Sequence, residues 1–285
     1  VSDRSDAERP SILDNPHAER VRRVAGLAGR SARSRSGLML VEGPQAVREL
    51  VTHRGEHVRD VYLSGGAAQQ HPDIVDAARS ATRWVHEVTD EVAHAMSPDA
   101  QGVIAVARSE AVADGSPREG GGPVVILVRA QDPGNAGTII RTADAMGASR
   151  VVLTRDSVDV RNPKVLRATA GSAFHLPVST GVELASVVEE IHEGGVVVMG
   201  TSGGDGSLDL SDLLAEAVRL GEGALTVPHA WVLGNEAQGL SDQEEEACDV
   251  LVRIPMTGQA ESLNVSSAAA MCLFASQCGT TARHS

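Results

Sequence analysis

From residue 123 onward, short apolar runs alternate with amphipathic stretches at regular distances. Val124–Val128, Arg150–Thr154, Val196–Met199, Trp231–Leu233 and Val250–Ile254 read as buried strands, with Phe174–Val178 as a shorter one. Between them, Ala136–Met146, Lys164–Ala170, Val182–His192 and Leu208–Leu220 repeat apolar residues at helical spacing. Ser241 and Glu244 form a capping-box pattern for a helix reaching Ala247. The last stretch, Val265–Ser276, is helical and built largely from small residues. Repeated strand–helix units of this length predict a mostly parallel sheet covered by helices.

The first part has a smaller version of the same pattern. His17–Gly29 has helical spacing and Ser31–Gly37 reads as an Arg/Ser-rich loop. Strands are predicted at Leu38–Val41, Val58–Leu63, Trp84–Val88 and Val103–Ala107, with helices at Pro44–Leu50 and Asp73–Ser80. Residues 1–15 read as a charged, disordered tail, and Ala111–Gly122 combines Gly, Ser, Pro and charge without apolar periodicity. The expected division is therefore a tail (1–15), a small α/β domain (16–109), a linker (110–122) and a larger α/β domain (123–285). A chain of 285 residues suits two domains.

Three loops follow strands directly and carry unusual residues: Gly200–Gly204, Gly234–Leu240 and the stretch from Ile254 to Asn264. In parallel sheets, ligands bind beyond the carboxyl ends of the strands. None of the three matches a nucleotide-phosphate fingerprint, and none contains Lys or Arg. Such loops suit an uncharged adenosine held by backbone groups and apolar walls. A fourth segment, Asp132–Arg141, places Asn135 at a helix start and Arg141 about two turns further on. Capping alone accounts for Asn135 equally well, and a surface ion pair is the plain alternative for Arg141.

Charge is informative only when the chain is divided. The whole carries a net −13, which argues against broad nonspecific nucleic-acid binding. From Glu19 to Arg59, nine Arg face four Glu, a local excess of +5. Arg20, Arg22, Arg23, Arg30, Arg33 and Arg35 make this segment a candidate RNA contact, since Arg forks match phosphates. A solvated helix face is the alternative. Lys164, the chain's one Lys, and Arg167 form a second candidate pair around a helix start, with a capping turn as the alternative. Cys248, Cys272 and Cys278 lack metal-ligand spacing and read as free thiols of a reducing cytoplasm. His17, His53, His57 and His175 show no metal-like spacing, and no segment has the length of a membrane span.

Taken together, Asn135–Ala143, Leu233–Leu240 and Ile254–Met256 with Glu261–Ser266 resemble the three ordered motifs of the SpoU (TrmH-like) branch of the SPOUT RNA ribose 2′-O-methyltransferases. The resemblance covers Pro123 to the C-terminus; Ala237 stands where glycine is common. Residues 17–108 resemble, more loosely, the small substrate-binding domain of ribosomal-RNA members. The resemblance implies a deep trefoil knot, a homodimer with α-helical contacts from Val265–Ser276, and S-adenosylmethionine as cofactor. It implies Met199, Gly200, Thr201, Leu233, Gly234, Ile254, Met256 and Leu263 around that cofactor, and Arg141, Asn135, Glu236, Ser262 and Asn264 as catalytic residues. The implied substrate is 23S ribosomal RNA, with a role in antibiotic resistance open. A transfer-RNA target or a non-catalytic RNA-binding module are the alternatives.

Overall fold

The computed structural model describes residues 12–112, 115 and 117–283. The expected tail therefore lies outside the described residues up to position 11, as do positions 113, 114 and 116 of the linker. Two compact units emerge from the backbone contacts. One comprises the chain to Ala111 plus Arg161–Gly171; the other comprises Val112–Val160 and the chain from Ser172.

The first unit runs α1 (Glu19–Gly26), α2 (Arg30–Ser36), β1 (Leu38–Glu42), α3 (Pro44–His53), β2 (Val58–Ser64), α4 (Gly65–Gln70), α5 (Pro72–Ala81), β3 (Val85–Val88), α6 (Asp90–Met96) and β4 (Val103–Arg108). Its sheet order is β1-β4-β2-β3, antiparallel except for β2 and β3. Val21, Val24 and Leu27 bury one stripe of the α1 region against Leu40, Tyr62 and Val106 of the sheet and Val92 and Met96 of α6. The Arg/Ser-rich segment is a helix and not the expected loop. Gly29 leads into it, Gly37 ends it in the left-handed conformation at φ 65°, and Arg33 anchors it by donating to the Leu27 and Ala28 carbonyls.

The second unit opens with β5 (Gly122–Leu127), α7 (Pro133–Ala145) and β6 (Ala148–Thr154). The chain then gives α8 (Pro163–Ala168) to the first unit, where it packs on β1. It returns as β7 (Val178–Val182), α9 (Leu184–Glu193), β8 (Val197–Thr201), β9 (Leu208–Asp209), α10 (Leu210–Leu220), β10 (His229–Leu233), α11 (Asp242–Glu246), β11 (Val250–Arg253) and α12 (Val265–Arg283). Phe174 is not in a strand. Ala170 and Gly171 turn the backbone left-handed, at φ 49° and 102°, and Ser172–Phe174 is a single tight turn that buries the ring.

Seven strands in the order β7-β6-β5-β10-β8-β11-β9 form this sheet, and every ladder is parallel. The uninterrupted apolar runs have the expected cause. Val125, Ile126, Val152, Leu153, Val198, Trp231 and Val232 are each fully buried, because helices cover both faces. α12 packs on α7 and α10. It is pinned to the sheet by one hydroxyl: Ser276 Oγ receives the Trp231 Nε1–H at 2.8 Å and lies 2.7 Å from His229 Nε2.

Candidate active site

All-parallel ladders bring the carboxyl ends of β5, β10, β8 and β11, four neighbours in the sheet, to one edge. Each of the four candidate segments leaves from one of these ends. The stretch 254–264 starts at β11, and its far end reaches α7. There the Asn264 amide donates to the Asn135 side-chain oxygen at 3.0 Å. Asn264 also caps α12: its Oδ1 accepts from the Ser266 N–H at 2.8 Å, and its carbonyl accepts from Ser267 and Ala268.

Asn135 is not the helix cap that its position suggested. Asp132 caps α7 by accepting from the Asn135 N–H at 2.7 Å, and Pro133 fills the first helical position. The Asn135 side chain is thereby released toward Asn264. Glu236 closes the same corner from the β10 loop, accepting from the Gln131 and Asp132 N–H groups at 3.3 and 3.2 Å. Arg141 is exposed, and its side chain makes no hydrogen bond or ion pair among the described residues. It sits about 9 Å along the helix axis from Asn135 and about 120° around it, so the two face different directions. Ser262 is exposed beside Asn264 and makes no such bond either.

A residue that the sequence reading passed over organises the β10 loop. Arg129, left-handed at φ 50°, lays its guanidinium across Glu244, with Nε to Oε1 at 3.0 Å and Nη2 to Oε2 at 2.7 Å. Its other contacts are Gln238 Oε1 at 3.0 Å and the Gly239 carbonyl at 3.4 Å. Burial pushes the Glu244 carboxyl up, but the Arg129 fork and the Ser241 bonds outweigh it, and the net shift is downward. Asn235 completes the turn, donating to the Arg129 carbonyl at 2.8 Å and accepting from Ala237 and Gln238 N–H. Ala237 has no left-handed backbone, so alanine is accommodated there.

The glycines serve their own chain more than a ligand. A Cβ on Gly234 would stand 2.4 Å from the Gly239 carbonyl carbon and 2.6 Å from the Leu240 nitrogen. One on Gly200 would meet Cys248 Sγ at 2.7 Å. Met199 and Leu233 are fully buried, Ile254 and Leu263 are half-buried and Met256 is exposed. Thr201 Oγ1 donates to the Val232 carbonyl at 3.3 Å. Residues 255–263 make no hydrogen bond among the described residues, leaving a run of amides and carbonyls available beside apolar walls. That donor set, free of Lys and Arg and flanked by Glu236 and Glu261, fits an uncharged nucleoside bearing a cationic sulfur.

The basic candidates separate. Arg20, Arg22, Arg23, Arg30, Arg35 and Lys164 are exposed. Arg33 is 4% exposed and its fork is spent on two carbonyls, so it is a folding residue and not an RNA contact. Arg167 is ion-paired to buried Glu42 and, at 2.7 Å, to Asp99, which ties α8 to the first unit.

This fold and these loops define a methyltransferase that acts on RNA. The SpoU rRNA Methylase family model matches residues 122–274, and a model for RNA 2′-O ribose methyltransferase substrate binding matches residues 40–112. The 23S rRNA (guanosine-2′-O-)-methyltransferase RlmB of Bordetella pertussis is 33% identical over 245 residues, covering 83% of this chain and 96% of that protein. An AdoMet-bound rRNA methyltransferase from Sinorhizobium meliloti is similar at a TM-score of 0.73 and 25% identity, over 93% of this chain and 97% of that one. The SpoU methyltransferase AviRb from Streptomyces viridochromogenes, in complex with AdoMet, gives 0.74 and 26%, over 91% and 98%. The chain belongs to the SpoU rRNA methylase family and is an S-adenosylmethionine-dependent RNA ribose 2′-O-methyltransferase.

Proposed function

We propose that this enzyme methylates a ribose 2′-hydroxyl of 23S ribosomal RNA in the cytoplasm, using the cleft bounded by Asn135, Glu236 and Asn264. The observation that carries the assignment of the site is the Asn264–Asn135 bond, which fastens the 254–264 stretch over the carboxyl ends of the strands. The crossing of this stretch from β11 back to α7 supports the knotted path. The name and near-complete coverage of the Bordetella relative support the ribosomal target.

S-adenosylmethionine supplies a methyl group on a positively charged sulfur that leaves readily. The chain's own residues then have to hold and orient. Gly200, Gly234 and the backbone of 255–263 receive the adenosine, and Ile254, Met256 and Leu263 flank it. Asn135, Asn264 and Ser262 orient the ribose, and in-line placement contributes much of the rate. Arg141 holds the neighbouring phosphate and stabilises developing negative charge, because a guanidinium stays protonated and is not a base. The separation of Asn135 and Arg141, about 120° around α7, supports a site completed by a second copy.

The exposed faces of α10 and α12 are the surface for that copy. Val218, Leu220, Met271 and Phe274 are 57%, 66%, 45% and 54% exposed on two helices that pack together.

Mapping 2′-O-methylation on purified 23S and transfer RNA, each incubated with enzyme and S-adenosylmethionine, tests the reading. Methylation is expected in 23S RNA and absent with Arg141→Ala. Methylation of transfer RNA alone would overturn the target, and no methylation of either would overturn the activity.

A further inference from the structure

The first unit contains a cavity of ≈ 710 Å³ between the α1–α2 region and the sheet. It lies within the usual range of about 300–1,000 Å³ for small-ligand sites and is too small for a duplex. We propose that it takes a single unpaired RNA nucleotide, its base against Trp84 and its phosphates on Arg20, Arg23, Arg35 and Arg59. The proposal rests on RNA being the substrate, and it places a second point of recognition outside the methyl-transfer cleft.

Three rings line up at this place. Tyr62 and His86 are register partners on β2 and β3 and stack at 5.0 Å with 24° between planes. Trp84 follows on the same side, 6.4 Å from His86 and 18° from parallel. The chain has one Tyr and two Trp, and Trp231 is buried in the other unit, so the cavity holds its one exposed Trp. Trp84 is 47% exposed, and the Arg83 guanidinium lies 4.7 Å from its ring centroid. A planar cation on a tryptophan face occupies the place that a nucleobase takes, and unpaired bases are the ones that reach such faces.

The polar groups fit a nucleotide as well. Tyr62 is 2% exposed, lines the cavity, and its hydroxyl makes no hydrogen bond among the described residues. Burial and then Asp60 push its pKa up to about 12, against Arg20, Arg59 and Arg23, so it remains a donor at all working pH values. Four Arg and one carboxylate, Asp60, line the cavity, a local excess of +3. His86 Nε2 lies 3.1 Å from Asp60 and 3.5 Å from Arg20. Arg23 and Arg59 are only loosely engaged, with Glu19 at 3.8 Å and Asp60 at 3.7 Å, while Arg35 donates one hydrogen bond, to the Ser31 hydroxyl at 2.9 Å.

The test uses the full chain and its tryptophan emission, to which solvent-shielded Trp231 contributes a constant background. The probes are a single-stranded RNA pentanucleotide, the same sequence as a duplex, and polyglutamate. The single strand is expected to quench emission, in a salt-dependent way, at least about ten-fold more tightly than the other two. Trp84→Ala should weaken single-strand binding, read by anisotropy, about ten-fold, and Trp84→Phe should restore most of it. S-adenosylmethionine affinity and the thermal midpoint of each variant are measured alongside and should not move. Equal binding by Trp84→Ala, or equal quenching by the duplex or by polyglutamate, overturns the proposal. Because the assay needs no methyl transfer, an inactive enzyme that still binds the single strand would refute the activity and leave the cavity assignment standing.

Discussion

Asn264 and Asn135 stand 129 positions apart and share one hydrogen bond of 3.0 Å. The same Asn264 side chain caps α12, so a single residue starts one helix and ties it to another. The two roles can be separated. Asn264→Ala should cost about 1 kcal/mol of stability through the lost cap. Asn264→Ser keeps a capping oxygen but is too short for Asn135, so it should melt within about 0.5 kcal/mol of the parent while losing most methyl transfer. Parallel denaturation and methyl-incorporation assays decide it. A serine variant with full activity would remove Asn264 from the site.

Gly234 packs backbone against backbone, and the obstacle cannot rotate away. Gly234→Ala should therefore cost about 1–3 kcal/mol by overpacking and weaken S-adenosylmethionine binding sharply. Gly200→Ala meets only the tips of Cys248, Leu251 and Leu240 side chains and should be milder. Calorimetry on both variants gives the ordering, and the reverse ordering contradicts the close-packed loop.

Arg141 has no partner among the described residues, so its removal should leave the fold intact. Arg141→Ala should abolish turnover with cofactor affinity within about two-fold. Arg141→Lys keeps the charge and loses the fork; near-normal turnover by this variant would rule out a bidentate phosphate contact.

The Ser276 hydroxyl between His229 and Trp231 makes stability pH-dependent. His229 Nδ1–H donates to the Val227 carbonyl at 2.7 Å, and Nε2 then accepts from Ser276. Burial lowers the His229 pKa below its ordinary 6.5, with the Val227 bond opposing. The unfolded chain thus takes up a proton that the folded chain resists. Its stability contribution is complete above pH 6.5 and is lost as pH falls below that value toward the folded pKa. Denaturation at pH 7.5 and 5.5 should show a loss in the parent that His229→Gln reduces. Ser276→Ala should cost about 2 kcal/mol at either pH, because it strands two buried ring nitrogens.

The α10–α12 face gives a prediction about assembly. Phe274→Glu should yield a monomer by sedimentation with the unit still folded, and turnover should fall with it. A monomeric parent, or an active monomeric variant, would locate the whole site in one chain.

How much of this was legible depends on how local each signal is. The runs around Val125, Val152, Val198 and Val232 announce a doubly covered parallel sheet, because burial on both faces writes itself into consecutive residues. The three loop motifs likewise single out Asn135, Glu236 and Asn264, which the fold brings to one corner. What escaped involves partners distant in sequence. Nothing near Arg33 says that its fork meets Leu27 and Ala28 carbonyls, nor near Arg167 that Glu42 and Asp99 await it. Arg129 falls just past the predicted strand Val124–Val128, and nothing around it announces Glu244 as its partner. The Tyr62–His86–Trp84 ladder depends on the pairing of β2 with β3, which no single strand encodes.

The unbonded stretch 255–263 has a thermodynamic consequence. Its amides are expected to exchange with solvent faster than those of the flanking strand and helix, and under the proposed assignment cofactor orders it on binding. Part of the intrinsic binding energy is thus absorbed as lost backbone freedom, at about 1–2 kcal/mol for each residue fixed. Gly258, where an added Cβ meets nothing within 4 Å, is one place where that freedom is adjustable without touching a contact. On that assignment, affinity for the cofactor is set as much by the backbone freedom of this stretch as by the groups beside it.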